Sequence, residues 1–278
     1  MHDSEVEQTS WKDSGELAGF LSILRAAPSR ALLLDYDGTL APFSCDPERA
    51  VAYPGILTAL NRIRCETNTR IVIVTGRPAA AIPKLLGLTG IEIWGCHGLE
   101  RLTAEGACEV TRIDLGVLAA LETAYHLIVS QGLSTYAERK IASIAVHWRG
   151  RDTLAEHIKR RMLRVWSMIP DRAGLRLTPF DGGIEIRAAQ RDKGDAVRML
   201  FREMGPNVAM AYLGDDETDE DAFGALQYRG LNILVREQHR PTLADVWIRP
   251  PEELLSFLDT WAEACRSGTQ GVASCGNS

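Results

Sequence analysis

A chain of 278 residues, 45% of them hydrophobic, is long enough to bury one large core or two modest ones. Its 37 acidic residues outnumber 31 basic ones, giving a net charge of −6, and without a basic excess it carries no electrostatic footprint for nucleic acid. No apolar run approaches the ~20 residues of a membrane span, and the segment Met1 to Glu7 lacks a signal-peptide pattern, so a cytoplasmic protein is expected.

Residues 1–13 are polar and read as a disordered tail, after which Leu17, Phe20, Leu21 and Leu24 recur at helical spacing and predict a short amphipathic helix. Residues 32–40, Leu-Leu-Leu-Asp-Tyr-Asp-Gly-Thr-Leu, follow as a buried strand that delivers two carboxylates, Asp35 and Asp37, to its end. Alternation along a strand would lean both to one side, where they could converge on a single ligand. Gly38 supplies the freedom to turn. An Asp-Gly turn alone is common, but carboxylates ending a buried strand need a partner such as a cation. Magnesium, a hard cation that takes oxygen ligands, suits such carboxylates and points to phosphoryl transfer.

A loop through Pro42, Pro47 and Pro54 leads to a helix near 55–65 and a strand at 71–75 that closes on Thr75-Gly76-Arg77. A further strand at 91–94 runs into Gly95-Cys96-His97-Gly98-Leu99-Glu100. Helix-like stretches at 115–131 and 152–168 each precede extended ones, at 133–148 and 174–187, which predicts a small inserted α/β module over 113–187. Its polar stretches are Glu138-Arg139-Lys140, leading into Ser143 and His147-Trp148-Arg149, and Gly182-Gly183-Ile184-Glu185-Ile186-Arg187. Lys193-Gly194 opens a helix at 193–203, and a third buried strand ends in Gly214-Asp215-Asp216-Glu217-Thr218-Asp219. A strand near 232–235, a helix at 251–264 and a Gly/Ser-rich disordered tail over 266–278 complete the chain, leaving 14–112 and 188–265 as the core. Apolar runs with polar chemistry at their carboxyl ends are the layout of an open parallel α/β sheet. The six cysteines show no Cys-x-x-Cys pairing and read as reduced thiols.

In this order the segments resemble the haloacid dehalogenase-like (HAD) superfamily of aspartate-nucleophile phosphatases. The resemblance implies a Rossmann-like parallel-sheet core with an inserted α/β cap. It makes Asp35 the nucleophile, Asp37 the general acid/base, Thr75 the hydroxyl that holds the phosphoryl group and Lys193 the neutralising cation. Magnesium would be held by Asp35, Asp37 and Asp215; Asp216 and Asp219 remain alternatives to Asp215, which the likeness favours. Over about residues 30–260 the chain is similar to the trehalose-6-phosphate phosphatase family. That likeness makes Gly76, Arg77, His97, Gly98 and Glu100 on the core, with Glu138, Lys140 and Glu185 on the cap, the candidate substrate-binding residues. Each cap charge also fits an ordinary solvated strand edge, and His147 reads as structural. Thr75 replaces a more frequent serine, Arg187-Ala188 stands where Lys-Pro is common, and Arg236 stands where glycine is expected.

The implied reaction is hydrolysis of trehalose 6-phosphate to trehalose and inorganic phosphate through an aspartyl-phosphate, with Mg2+. The alternatives are another sugar phosphate, such as sucrose phosphate or a mannosyl- or glucosyl-phosphoglycerate, or a non-catalytic sugar-phosphate-binding module. The expected partner is a small disaccharide phosphate, with no nucleic acid and no membrane, and nothing demands more than a monomer. A site split between core and cap also predicts closure, with hinges near 105–115 and 187–190.

Overall fold

The computed structural model describes residues 11–44, 46–148, 152–167, 169, 174–180 and 182–270. At its centre lies β1 (Ser29–Leu34), whose Leu32 and Leu34 face one side of a sheet and Ala31 and Leu33 the other, all fully buried. Such a strand, apolar on both faces, belongs in the middle of a parallel sheet covered by helices on each side. Beside it run β2 (Thr69–Val74) and β3 (Glu92–Gly95), both parallel, then β4 (Glu100–Leu102) and β5 (Cys108–Val110), antiparallel. On its other flank lies β10 (Val208–Gly214), then β11 (Leu231–Val235) and β12 (Val246–Ile248), all parallel. Strand order is therefore β12-β11-β10-β1-β2-β3-β4-β5. The chain leaves β1 toward β2 and returns to β10 on the opposite flank, so the topological switch point, where such sheets bind ligands, lies at the carboxyl end of β1.

Helices α1 (Gly15–Ala26), α2 (Ile56–Glu66) and α8 (Glu252–Gln270) cover the face that carries Leu32 and Leu34. The short α3 (Ile82–Leu86) adds Ile82, Leu85 and Leu86 to the same cluster. Ser14 caps α1 by accepting from the Leu17 N–H at 3.3 Å. The opposite face is packed by α6 (Lys193–Met204), through Ala196, Val197 and Leu200, and by α7 (Glu220–Leu226), through Ala222, Phe223 and Leu226.

Between β5 and α6 a second unit has its own sheet and core. Its strands β6 (Ala137–Arg139), β7 (Ser143–His147), β8 (Leu175–Phe180) and β9 (Gly183–Ala188) pair antiparallel in the order β6-β7-β9-β8. Helices α4 (Leu115–Ser130) and α5 (Asp152–Ser167) pack on it around Leu121, Ile128, Ile144, Met162, Trp166 and Ile186. Two helix-and-hairpin repeats are what the sequence rhythm predicts, and each strand pair can bury only one face, so the helices share the other's apolar side.

Both tails need correction. Trp11–Asp13 form a 3-10 turn and Trp11 is buried, its ring 6.3 Å from that of Phe257 on α8. One large indole next to a buried aromatic outweighs the polarity of its neighbours. At the other end α8 runs on through Gln270, past the expected end at 264, because Leu254, Phe257, Leu258, Trp261 and Cys265 keep one face of the helix on the core. Residues 1–10 and 271–278, and Arg149 from the cap motifs, lie outside the described residues.

Candidate active site

Parallel pairing sets Leu34 beside both Leu213 of β10 and Ile73 of β2, so the residues that follow these strands meet at one edge. The Asp35 N–H extends the ladder by donating to the Leu213 carbonyl at 2.9 Å. Lys193 reaches the same point from the first turn of α6, which a reciprocal Asp192–Asp195 capping box fixes. Its Nζ lies 2.9 Å from Asp35 Oδ1 and 2.8 Å from Asp219 Oδ1. Burial alone would lower the lysine's pKa, but Asp219 and Asp35 raise it, so the ammonium stays charged.

Asp35, Asp215 and Asp219 offer carboxylate oxygens within 4.8 Å of one another, and all three are buried. Their hydrogen bonding divides them. Asp219 is saturated: Oδ1 accepts from Lys193 and from the Tyr212 hydroxyl at 2.7 Å, and Oδ2 from the N–H groups of Asp215 and Asp216, both at 3.1 Å. Asp215, only 1% exposed, has no hydrogen-bond partner on either oxygen. Buried carboxylate oxygens without donors call for a cation or a proton. Burial, with Asp35 and Asp219 nearby, pushes the Asp215 carboxyl well above its ordinary range, and burial with Asp219 pushes Asp35 up to about 7 against the pull of Lys193. A hard divalent cation would remove both penalties. The fold also keeps room for the Asp215 carboxylate: a Cβ on Gly38 would stand 2.2 Å from Asp215 Oδ2, and Gly38 sits at φ +82° where a side chain would be strained. Asp35 and Asp215 are thus the pair able to hold a metal, with Asp219 organising them.

The Asp37 carboxylate is not in that group. β1 ends at Leu34, and the chain then coils so that the Leu40 N–H donates to the Tyr36 carbonyl, which voids the alternation argument for position 37. Both Asp37 oxygens instead take the Arg77 guanidinium fork, at 2.6 and 2.7 Å. Thr75, after β2, is 1% exposed; its Oγ1 accepts from the Arg77 N–H at 3.1 Å, which leaves its own proton for a ligand oxygen.

Across from Thr75 the chain makes a strained turn. Cys96 and His97 both take positive φ, 48° and 55°, which costs of order 1–3 kcal/mol for each non-glycine residue. The turn holds the His97 imidazole against Gly76, where a Cβ would lie 2.7 Å from the ring, and Gly98 against the Asp192 carbonyl, also 2.7 Å from a would-be Cβ. His97 Nε2 meets Glu185 Oε2 of β9 at 3.0 Å, joining the two units. Burial keeps the imidazole's pKa below its ordinary value even with Glu185 beside it.

Glu185 anchors the second unit's polar face. Its Oε1 accepts from Ser143 Oγ at 2.7 Å and Lys140 Nζ at 3.2 Å. Burial would raise this carboxyl, but Lys140 and His97 hold it well below the usual range. Lys140 also lies 4.0 Å from Glu138, whose Oε2 is 3.0 Å from His147 Nε2. Glu100 turns elsewhere, accepting from the Ala79 N–H at 2.8 Å, so it props the segment after Arg77. Tyr212 carries chemistry that the motifs did not single out, and Ser143, named in the cap's polar stretch, gains a definite role as a donor to Glu185. A tyrosine fully buried in an aliphatic strand was the available signal, since its hydroxyl must find a partner.

An open parallel sheet with a carboxylate–lysine cluster at its switch point and an inserted antiparallel unit beside it defines the haloacid dehalogenase-like fold class. A haloacid dehalogenase-like hydrolase from Bacteroides thetaiotaomicron shares that fold, at TM-score 0.59 and 14% identity over 83% of this chain and 98% of that one. The C-terminal domain of Candida albicans trehalose-6-phosphate phosphatase matches at TM-score 0.72 and 21% identity, covering 88% of this chain and 96% of that one. The trehalose-phosphatase family profile matches residues 33–246, and the chain belongs to that family. A relative described as probable trehalose-phosphate phosphatase H, from Arabidopsis thaliana, is 29% identical over 290 residues, 94% of this chain and 80% of that protein.

Proposed function

We propose that the protein is a Mg2+-dependent phosphomonoester hydrolase that converts trehalose 6-phosphate to trehalose and inorganic phosphate. The observation that carries this reading is Lys193 held between Asp35 and Asp219, with the donorless Asp215 carboxylate beside them. Asp35 and Asp215 would hold the metal, which when bound supplies charge neutralisation at the phosphate oxygens. In the first step an Asp35 oxygen attacks phosphorus, the bond from phosphorus to the sugar oxygen breaks, and Asp37 gives its proton to the departing alkoxide. In the second step Asp37 takes a proton from water, whose oxygen attacks phosphorus and releases Asp35. Lys193 and the Thr75 hydroxyl hold the phosphoryl oxygens throughout. Asp37 must leave the Arg77 fork to reach the bridging oxygen, and that exchange frees Arg77 for the substrate.

Choice of substrate falls to the second unit acting as a cap. Glu138, Lys140, Ser143 and Glu185 present acceptors and donors in one partly buried polar patch, which suits a polyhydroxylated sugar. A cytoplasmic setting agrees with free thiols at Cys65, Cys96, Cys108 and Cys265, and among the described residues no helix is long and apolar enough to cross a membrane.

Phosphate release from a panel of disaccharide phosphates, with MgCl2 and with chelator, tests the whole reading. Trehalose 6-phosphate should turn over fastest, and only with the metal. Asp35→Asn should lower the rate by about 10^4-fold or more with its circular dichroism unchanged. Equal rates on every ester would remove the role given to the cap, and no release from any ester would overturn the proposal.

A further inference from the structure

Arg236, where the family likeness led to glycine, opens the loop between β11 and β12, and this loop lies over the Asp215 turn. Arg236 Nη1 donates to the Asp215 carbonyl at 3.4 Å and stands 4.0 Å from Asp215 Oδ2, beside the carboxylate that has no donor of its own. Its backbone is fixed on both sides: the N–H donates to the Ile248 carbonyl at 3.0 Å and the carbonyl accepts from Trp247 Nε1 at 2.7 Å. Arg240, four residues on, spans the same turn. Its Nε donates to the Asp215 carbonyl at 3.1 Å and its Nη2 to the Asp216 carbonyl at 2.8 Å. Glu220 holds Arg240 Nη1 at 2.5 Å and also accepts from Thr242 Oγ1 and the Leu243 N–H, which ties the loop to the helix that follows the turn.

We propose that these two arginines set the affinity of the site for Mg2+ and that they act in opposite directions. Arg240 is a positioning residue: it fixes the backbone that presents the Asp215 carboxylate and so favours the metal. Arg236 places a positive charge next to that carboxylate and competes with the metal for it. The idea rests on Asp35 and Asp215 being the metal's ligands.

The dependence of the full chain's thermal unfolding midpoint on MgCl2 concentration, without substrate, yields the Mg2+ dissociation constant. Arg240→Gln should weaken Mg2+ binding by about tenfold or more, the usual cost of losing a group that orients a metal ligand. Arg236→Gln should tighten it by about threefold or more, and the gain should shrink as KCl rises from about 0.05 to about 0.5 M, because the guanidinium is partly exposed. Arg236→Lys, which keeps the charge, should bind like the unaltered protein. If Arg240→Gln does not fold, Arg240→Lys replaces it: losing the fork should still weaken binding. Unchanged constants, or both variants shifting the same way, would overturn the proposal and leave the metal site standing. No midpoint rise in the unaltered protein would remove the metal site itself, and the proposal with it.

Discussion

Asp35, Asp37, Asp215 and Asp219 share one functional group and have four different environments. Asp37 alone meets a guanidinium fork, and its proposed task is to carry a proton to the leaving oxygen. Asp37→Asn should therefore slow release from trehalose 6-phosphate by about 10^2 to 10^4-fold. With p-nitrophenyl phosphate, whose leaving group needs little protonation, the loss should be much smaller. An equal loss on both esters would remove Asp37 from the acid role. Asp35 leads to a pH prediction. Its carboxyl is raised from 3.8 to about 7 in the metal-free fold, chiefly by burial and Asp219. A raised group stabilises the fold below its unfolded value and loses that contribution as pH climbs through the folded one, so it disfavours the metal-free fold increasingly across that window. A metal held by Asp35 would displace the proton, so a fixed MgCl2 concentration should raise the thermal midpoint more at about pH 8 than at about pH 5.5. Equal rises would show that the metal does not meet Asp35.

The elements that deliver these groups are strand ends and a helix start. β1, β2 and β10 end in register, and the Asp192–Asp195 box starts α6 where Lys193 can reach them. The elements far from the site hold the sheet in shape, and Trp11 belongs with them. Its burial against α8 leads us to expect that Trp11→Ala costs about 3 kcal/mol in denaturant unfolding while the KM for substrate stays unchanged. A cost near zero would mean the N-terminal turn does not dock in solution. The left-handed pair Cys96–His97 is the counter-example, an element with strain at the site itself. Its sequence, a histidine before a glycine, predicts a turn but gives no measure of how sharp the turn must be.

Across the whole molecule, the two units meet through a few polar links and through Cys96 and Leu99, which join the second unit's apolar cluster. His97 joins Glu185 at 3.0 Å, while Arg176 and Arg187 of the antiparallel sheet reach Asp221 on α7 at 2.7 and 3.3 Å. A small, mixed junction of this kind opens more readily than a domain core. We expect the radius of gyration in X-ray scattering to fall when MgCl2 and a non-hydrolysable sugar-phosphate analogue are added together. Superimposable profiles would argue against cap closure.

The sequence alone determined the order of elements, since buried runs ending in Asp, Thr-Gly-Arg or Gly-Asp-Asp can sit only inside a covered sheet with chemistry at its edge. It also determined the two-unit layout, because helix and hairpin rhythm is a local property. Tertiary structure decided which carboxylate does what. Alternation ceased to apply where β1 ended, so Asp37 went to Arg77. Among Asp215, Asp216 and Asp219, the turn after β10, the neighbouring Tyr212 and the distant Lys193 chose Asp219 to be saturated and Asp215 to be left without donors. The long-range bonds from Arg77 to Asp37 and from Lys193 to Asp219 set part of those differences, and the three-dimensional shape of the turn after β10 sets the rest, which a linear pattern does not encode.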